Sequence, residues 1–141
     1  MPKTTSSLRL KAAIYAKLEA GARERHESIS QLAQRLIEEG LRIEEHPGVV
    51  FRNGASGRRA AVAHGPDVWQ IIPAVRDVDP EDEQTLREAA RQTGLTASQI
   101  RAAILYYQAY PDEIDGRIRR NDEIAASAEA EWRQKHQALL G

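Results

Sequence analysis

Between Thr5 and Lys11 polar and apolar residues alternate, Ser7 and Arg9 on one side and Leu8 and Leu10 on the other. A period of two predicts a short strand with one buried face. The next strand-forming stretch lies roughly forty residues further on. A lone strand needs partners for its N–H and C=O groups, and the readiest partner is the same strand of a second copy. An open alternative adds the strand to a hairpin at 48–63 within one monomer.

From residue 12 the period changes. Ile14, Leu18 and Ala22 recur every fourth position, which predicts a helix over 12–25. Ser28-Ile29-Ser30-Gln31 has the spacing of a capping box. Ile29, Leu32, Ala33, Leu36, Ile37 and Leu41 then form one apolar face to about Glu45, where His46-Pro47-Gly48 stops the helix. Residues 48–63 read as a β-hairpin turning at Asn53-Gly54-Ala55-Ser56-Gly57.

Gly65-Pro66-Asp67 opens a short helix over Val68, Trp69, Ile71 and Ile72, to be kinked or ended by Pro73. Asp79-Pro80 predicts a helix start with proline at the first position, and Gly94 a helix end. Thr96-Ala97-Ser98-Gln99 is a second capping box, with Ile100, Ala103, Ile104 and Tyr107 as the buried stripe behind it. Tyr110-Pro111 closes that helix. One long helix follows to about Leu139, with a thin stripe of Ile114, Ile118, Ala125, Ala128, Trp132 and Leu139. So thin a stripe predicts a helix that a partner orders.

Composition adds limits. The 141 residues make one domain or two small ones. Forty-one per cent apolar and 29% charged residues suit a soluble fold with a modest core. There are no cysteines, which excludes disulfides, cysteine zinc sites and thiol catalysis and fits a cytoplasmic location. No apolar run reaches the roughly 20 residues of a membrane span, and no signal peptide is read at the start. The net charge of −1 is an average. Residues 1–35 hold seven basic residues against three acids, residues 46–65 three arginines and no acid, and residues 66–88 seven acids against two arginines. The basic front is a plausible footprint for nucleic acid, and the acidic middle repels it.

The order strand, helix, capped helix resembles the ribbon-helix-helix family of DNA-binding proteins. The carriers are Ser7-Leu8-Arg9-Leu10, Ile14 with Leu18, and Ser28-Ile29-Ser30-Gln31-Leu32, within residues 3–43. The resemblance implies a homodimer whose paired strands enter the major groove of operator DNA. Thr5, Ser7, Arg9 and Lys11 would then face the bases, Arg9 matching guanine O6 and N7. Ser28, Ile29 and Ser30 would hold a phosphate at the helix N-terminus. Leu8 and Leu10 would enter a four-helix core.

Residues 86–105 have the pattern of a helix-turn-helix, two short helices meeting at Gly94. A recognition-helix reading would put Ser98, Gln99 and Arg101 at DNA. The acidic stretch before them favours a structural role. Residues 46–118 also resemble the C-terminal domain of antitoxins in VapBC-like toxin–antitoxin modules, through HPGVVFR, GRRAAVAHGPDVWQII, LTASQIRAAILYY and YPDEIDGRI. Such antitoxins pair with toxins of the PIN ribonuclease fold. The resemblance implies that residues 116–141 lie on the toxin, with Trp132 as anchor beside Leu139 and Leu140. Arg119, Arg120 and Arg133 are then candidates to enter its acidic metal site. The competing reading makes Trp132 a cap on the protein's own core and the arginines a solvated face.

No enzyme is expected. His26, His46, His64 and His136 are scattered without metal-ligand spacing, and no phosphate-binding glycine loop or nucleophile elbow appears. No cofactor or metal is implied. The expected fold is mainly α with short β: a dimeric ribbon-helix-helix over 1–45, a hairpin and helix-turn-helix-like bundle over 46–115, and a C-terminal toxin-binding helix over 116–141. The expected function is that of an antitoxin which represses its own operon. Two alternatives stay open. One is a stand-alone regulator with a ligand-sensing or oligomerisation domain, the other an interaction domain that never binds DNA.

Overall fold

The structure, a computed structural model, describes residues 4–54 and 57–140, without the side chain of Leu140. Lys3, and Ala55 and Ser56 of the expected hairpin turn, lie outside this range. The described residues form six helices and one two-stranded antiparallel sheet. The chain divides into two units, Met1–Arg42 and Ile43–Gly141, and the division falls in the last turn of the second helix.

In the first unit, residues 4–11 precede α1 (Ala12–Glu24) and belong to neither helix nor strand. The expected strand therefore does not form in a single chain. Alternation favours a strand, but without a neighbour the ladder bonds that define one have no acceptors. Among the described residues the sheet consists of β1 and β2. Leu8 is 72% exposed.

α1 ends in a Schellman motif. The Glu27 N–H donates to the Ala22 carbonyl at 3.0 Å and His26 to Arg23 at 3.3 Å. His26 occupies the left-handed position, φ 54°, that glycine usually fills. The capping box then starts α2 (Ile29–Glu45). The Gln31 N–H donates to Ser28 Oγ at 3.0 Å, and the Ser28 N–H to Gln31 Oε1 at 3.1 Å. Ala22 and Leu32 are buried where the two helices meet. A side chain at Gly21 would press on Leu32, so glycine permits this close approach.

In the second unit, β1 (Val49–Gly54) pairs with β2 (Gly57–Val62), Val49 opposite Val62 and Gly54 opposite Gly57. α3 (Val68–Val75) holds Pro73 inside it, and the helix runs two residues beyond. Burial of Ile71, Ile72 and Val75 outweighs the one backbone bond that proline forfeits. α4 (Glu83–Thr93) begins later than Asp79-Pro80 suggested. Asp79 makes a turn, its Oδ1 accepting from the Glu81 N–H at 2.9 Å, and Asp82 is the cap, accepting from Gln84 at 3.0 Å. Two aspartates compete for the cap, and the one nearer the apolar stripe wins. Gly94 ends α4 in the left-handed conformation at φ 77°.

α5 (Ala97–Ala109) starts at the Thr96–Gln99 capping box. Its deepest aromatic is Tyr106, fully buried, and not Tyr107, which is half-buried. Tyr106 meets His46, Phe51 and Tyr110 at ring separations of 5.4, 6.3 and 4.8 Å. Its hydroxyl donates to Glu113 at 2.6 Å. That apolar surround with one polar outlet is what a buried tyrosine needs. α6 (Pro111–Leu140) is one helix with proline at its first position. Ile114 is buried in the core and Ile118 packs against it.

Candidate nucleic-acid and partner interfaces

Thr5, Ser7, Arg9 and Lys11 are all exposed, and neither Arg9 nor Lys11 has an ion-pair partner among the described residues. Leu8, Leu10, Ile14 and Tyr15 are exposed on the same stretch. From α2, Leu36 (44% exposed), Ile37 and Leu41 are exposed as well. So many large apolar side chains in water within about forty residues exceed the scattered singles of an ordinary surface. The first unit buries one stripe, around Ala22 and Leu32, and leaves a second one open.

At the start of α2, Ser28 serves as the cap and the N–H groups of Ile29 and Ser30 have no acceptor among the described residues. These are the orphan donors that a phosphate can take. The turn before them is held by a pair that the sequence reading missed. Arg35 Nη1 and Nη2 each donate to Glu27 at 2.8 Å, a two-pronged bridge across the capping box. Its residues are eight apart and show no local pattern. The hydrogen bonds from Arg35 hold the Glu27 carboxyl below its ordinary value, against an opposing effect of burial, with the charges of Arg35 and Arg25 adding to them.

A carboxyl whose folded value is depressed stabilises above its unfolded value, near 4.3, and that contribution is lost as pH falls through the folded value. Wild type is therefore expected to exceed Glu27→Gln in urea midpoint at pH 6, with the gap closing by pH 3. Parallel midpoints at both pH values would refute the pairing.

α4 and α5 follow one another across Gly94, and the candidate DNA residues of this pair are engaged. Gln99 completes the cap with Thr96, and its Nε2 donates to the Ala63 carbonyl at 3.0 Å. Arg101 lies 3.4 Å from Glu81. Only Ser98 is exposed and without such a role. These contacts favour the structural reading of residues 86–105.

Along α6 every described residue from Arg119 to Leu139 is exposed. Trp132 is 58% exposed and Leu139 83%. Trp132 therefore does not cap the core of its own unit. Its ring stacks on His136 at 3.8 Å. Arg133 pairs with Glu129 at 2.6 Å, while Arg119 and Arg120 have no ion-pair partner among the described residues. α6 passes through Gly116 without a break. Leu140, expected beside Trp132, lies outside the described side chains.

Asp67, read from the sequence as part of the opening of α3, also has long-range partners that the sequence did not show. It is buried, its Oδ2 lies 2.6 Å from Arg59 Nε and accepts from Trp69 Nε1 at 3.1 Å, and it forms a capping box with Gln70 at the start of α3. The available signal was a helix-start Asp followed three places on by Gln. Among the described residues no group of three or more His, Cys, Asp or Glu could hold a metal ion. No described helix is long and apolar enough to cross a membrane. No family model, curated protein or solved structure matches the chain.

Proposed function

We propose that the protein is a cytoplasmic antitoxin, dimeric through its N-terminal segment, which binds operator DNA and neutralises a PIN-type ribonuclease through α6. The observation that carries the reading is the open apolar stripe of the first unit beside the unpaired segment 4–11. A second copy answers both needs. Its strand would satisfy the main-chain groups of 4–11, and its helices would cover Leu8, Leu10, Ile14, Leu36, Ile37 and Leu41. Pairing would turn Ser7 and Arg9 outward together, doubling the positive charge of the front of the chain over the groove.

For the partner half, the support is the 119–139 stretch of α6. A solvated helix of low apolar content is marginal by itself, and the exposed Trp132 and Leu139 would anchor it in a groove on a partner. In this reading Arg119 and Arg120, and Arg133 on release from Glu129, are the cations available to an acidic metal site.

Arg9→Ala is expected to cost about 1–3 kcal/mol of specific operator binding while leaving the dimer intact. Operator titrations at several salt concentrations check this, and an unchanged affinity rejects the ribbon assignment. Truncation after Arg120 keeps Ile114 and Ile118 in the core and removes the exposed helix. It is expected to preserve operator binding and abolish rescue of cells expressing the toxin. Rescue by the truncated chain would sink the assignment of the tail to the toxin.

A further inference from the structure

We infer that α6 pairs antiparallel with the α6 of a second copy of this chain, through the stretch that leaves the core of the second unit. Ile118, Ala125, Trp132 and Leu139 recur at every seventh position along this helix. A strict seven-residue repeat keeps one face turned toward a partner helix over several turns. Ile118 is half-buried, and from Arg119 to Leu139 every described residue is exposed, so this face is open from the edge of the core outward. Ile118 to Leu139 spans about 30 Å of helix.

The order of residues decides what covers the face. Between the four repeat positions it carries Asn121 and Asp122, Ala128 and Glu129, and Lys135 and His136. These positions are symmetric about the point between Ala128 and Glu129. A two-fold axis there sets each residue opposite one of complementary kind on the second copy. Leu139 meets Ile118, Trp132 meets Ala125, Lys135 meets Asp122 and His136 meets Asn121. A large ring opposite a methyl group fills the space between two helices better than two rings or two methyls.

Charge sets the direction of the pairing. Asp122 and Lys135 are exposed, and neither has an ion-pair partner among the described residues. Antiparallel pairing joins them across the contact, and by symmetry joins them twice. At the axis Glu129 is already matched by Arg133 of its own helix at 2.6 Å, so no bare charge is placed there. A parallel pairing would set Asp122 on Asp122, Lys135 on Lys135 and Trp132 on Trp132, and like charges so placed reject it. Two exposed ion pairs and an alanine-centred face make a weak contact, below that of the apolar N-terminal stripe. It belongs to α6 alone and depends on neither the operator nor the toxin.

The test uses the full chain carrying Leu36→Glu, which removes the proposed N-terminal contact, in sedimentation equilibrium up to high micromolar concentration. A monomer–dimer equilibrium is expected. Lys135→Asp and Asp122→Lys, each of which sets like charges opposite one another twice, should each weaken it about tenfold. The two changes together should restore it. In the same background Ala128→Cys, in a chain otherwise free of cysteine, should be joined to its copy by a short bis-maleimide, and Asn121→Cys should not. A monomer at every concentration overturns the pairing and leaves α6 to a partner of another kind, with the N-terminal dimer untouched. A double reversal no better than the single ones overturns it as well, and so does cross-linking at both cysteine positions. If Leu36→Glu leaves association at wild-type strength and the single reversals weaken it, the N-terminal assignment fails and the α6 pairing stands.

Discussion

Asp67→Ala is expected to destabilise the second unit by about 3–5 kcal/mol, the usual result of removing one partner from a buried ion pair. Three structures end on this carboxylate: the Arg59 guanidinium, the Trp69 indole N–H and the first turn of α3. Alanine leaves the Arg59 charge largely buried beside β2 with no counterion, and leaves the indole donor unmet. The chain around Asp67 also holds β2 to α3, through its bridge with Ala61 and the Val62 N–H on the Pro66 carbonyl at 3.0 Å. Asp67→Asn keeps an acceptor oxygen and the cap but loses the charge, so about 1–2 kcal/mol is expected. Urea unfolding of the full chain measures both. An alanine variant within about 0.5 kcal/mol of wild type would show that Asp67 is not the hub of this region.

Leu36→Glu is expected to weaken self-association by about four orders of magnitude. The argument is one of symmetry. In the proposed dimer Leu36 is buried at the interface, and each substitution enters twice. An unpaired buried carboxylate costs about 3 kcal/mol per copy, and the pair therefore shifts the dissociation constant roughly 10⁴-fold. In the single chain Leu36 is 44% exposed, so folding of the isolated unit should change little. Sedimentation equilibrium separates the two effects, and Leu36→Met, nearly equal in volume, should remain dimeric. A Leu36→Glu protein that still dimerises at wild-type concentrations would remove the open stripe as the interface, and with it the chief support for the ribbon reading.

Neighbouring residues made most of the secondary structure legible. The capping boxes at Ser28 and Thr96, the left-handed Gly94, the hairpin and the proline start of α6 depend on residues close in sequence to the backbone they shape. Such bonds form whatever the rest of the chain does, so spacing is enough to read them. Where two local signals competed, reading was less sure. Asp79 and Asp82 both fit a helix start, and the sequence pattern favoured the wrong one.

The candidate sites divide in the same way. Thr5 to Lys11 and the Ser28 cap follow from alternation and capping. Arg35 on Glu27, Arg59 on Asp67, Gln99 on Ala63 and Tyr106 on Glu113 are not visible in any short window. Each joins residues seven to thirty-six positions apart, and each depends on which faces the packed elements turn toward one another. The sequence by itself determined that the chain holds a two-helix front with an alternating segment before it, a hairpin and a four-helix remainder. Only the tertiary structure decided that Tyr106 and not Tyr107 is buried, that Trp132 is exposed and that Arg59 is paired with Asp67. Periodicity is a property of one element, whereas burial and charge pairing are properties of the surfaces that several elements bring together.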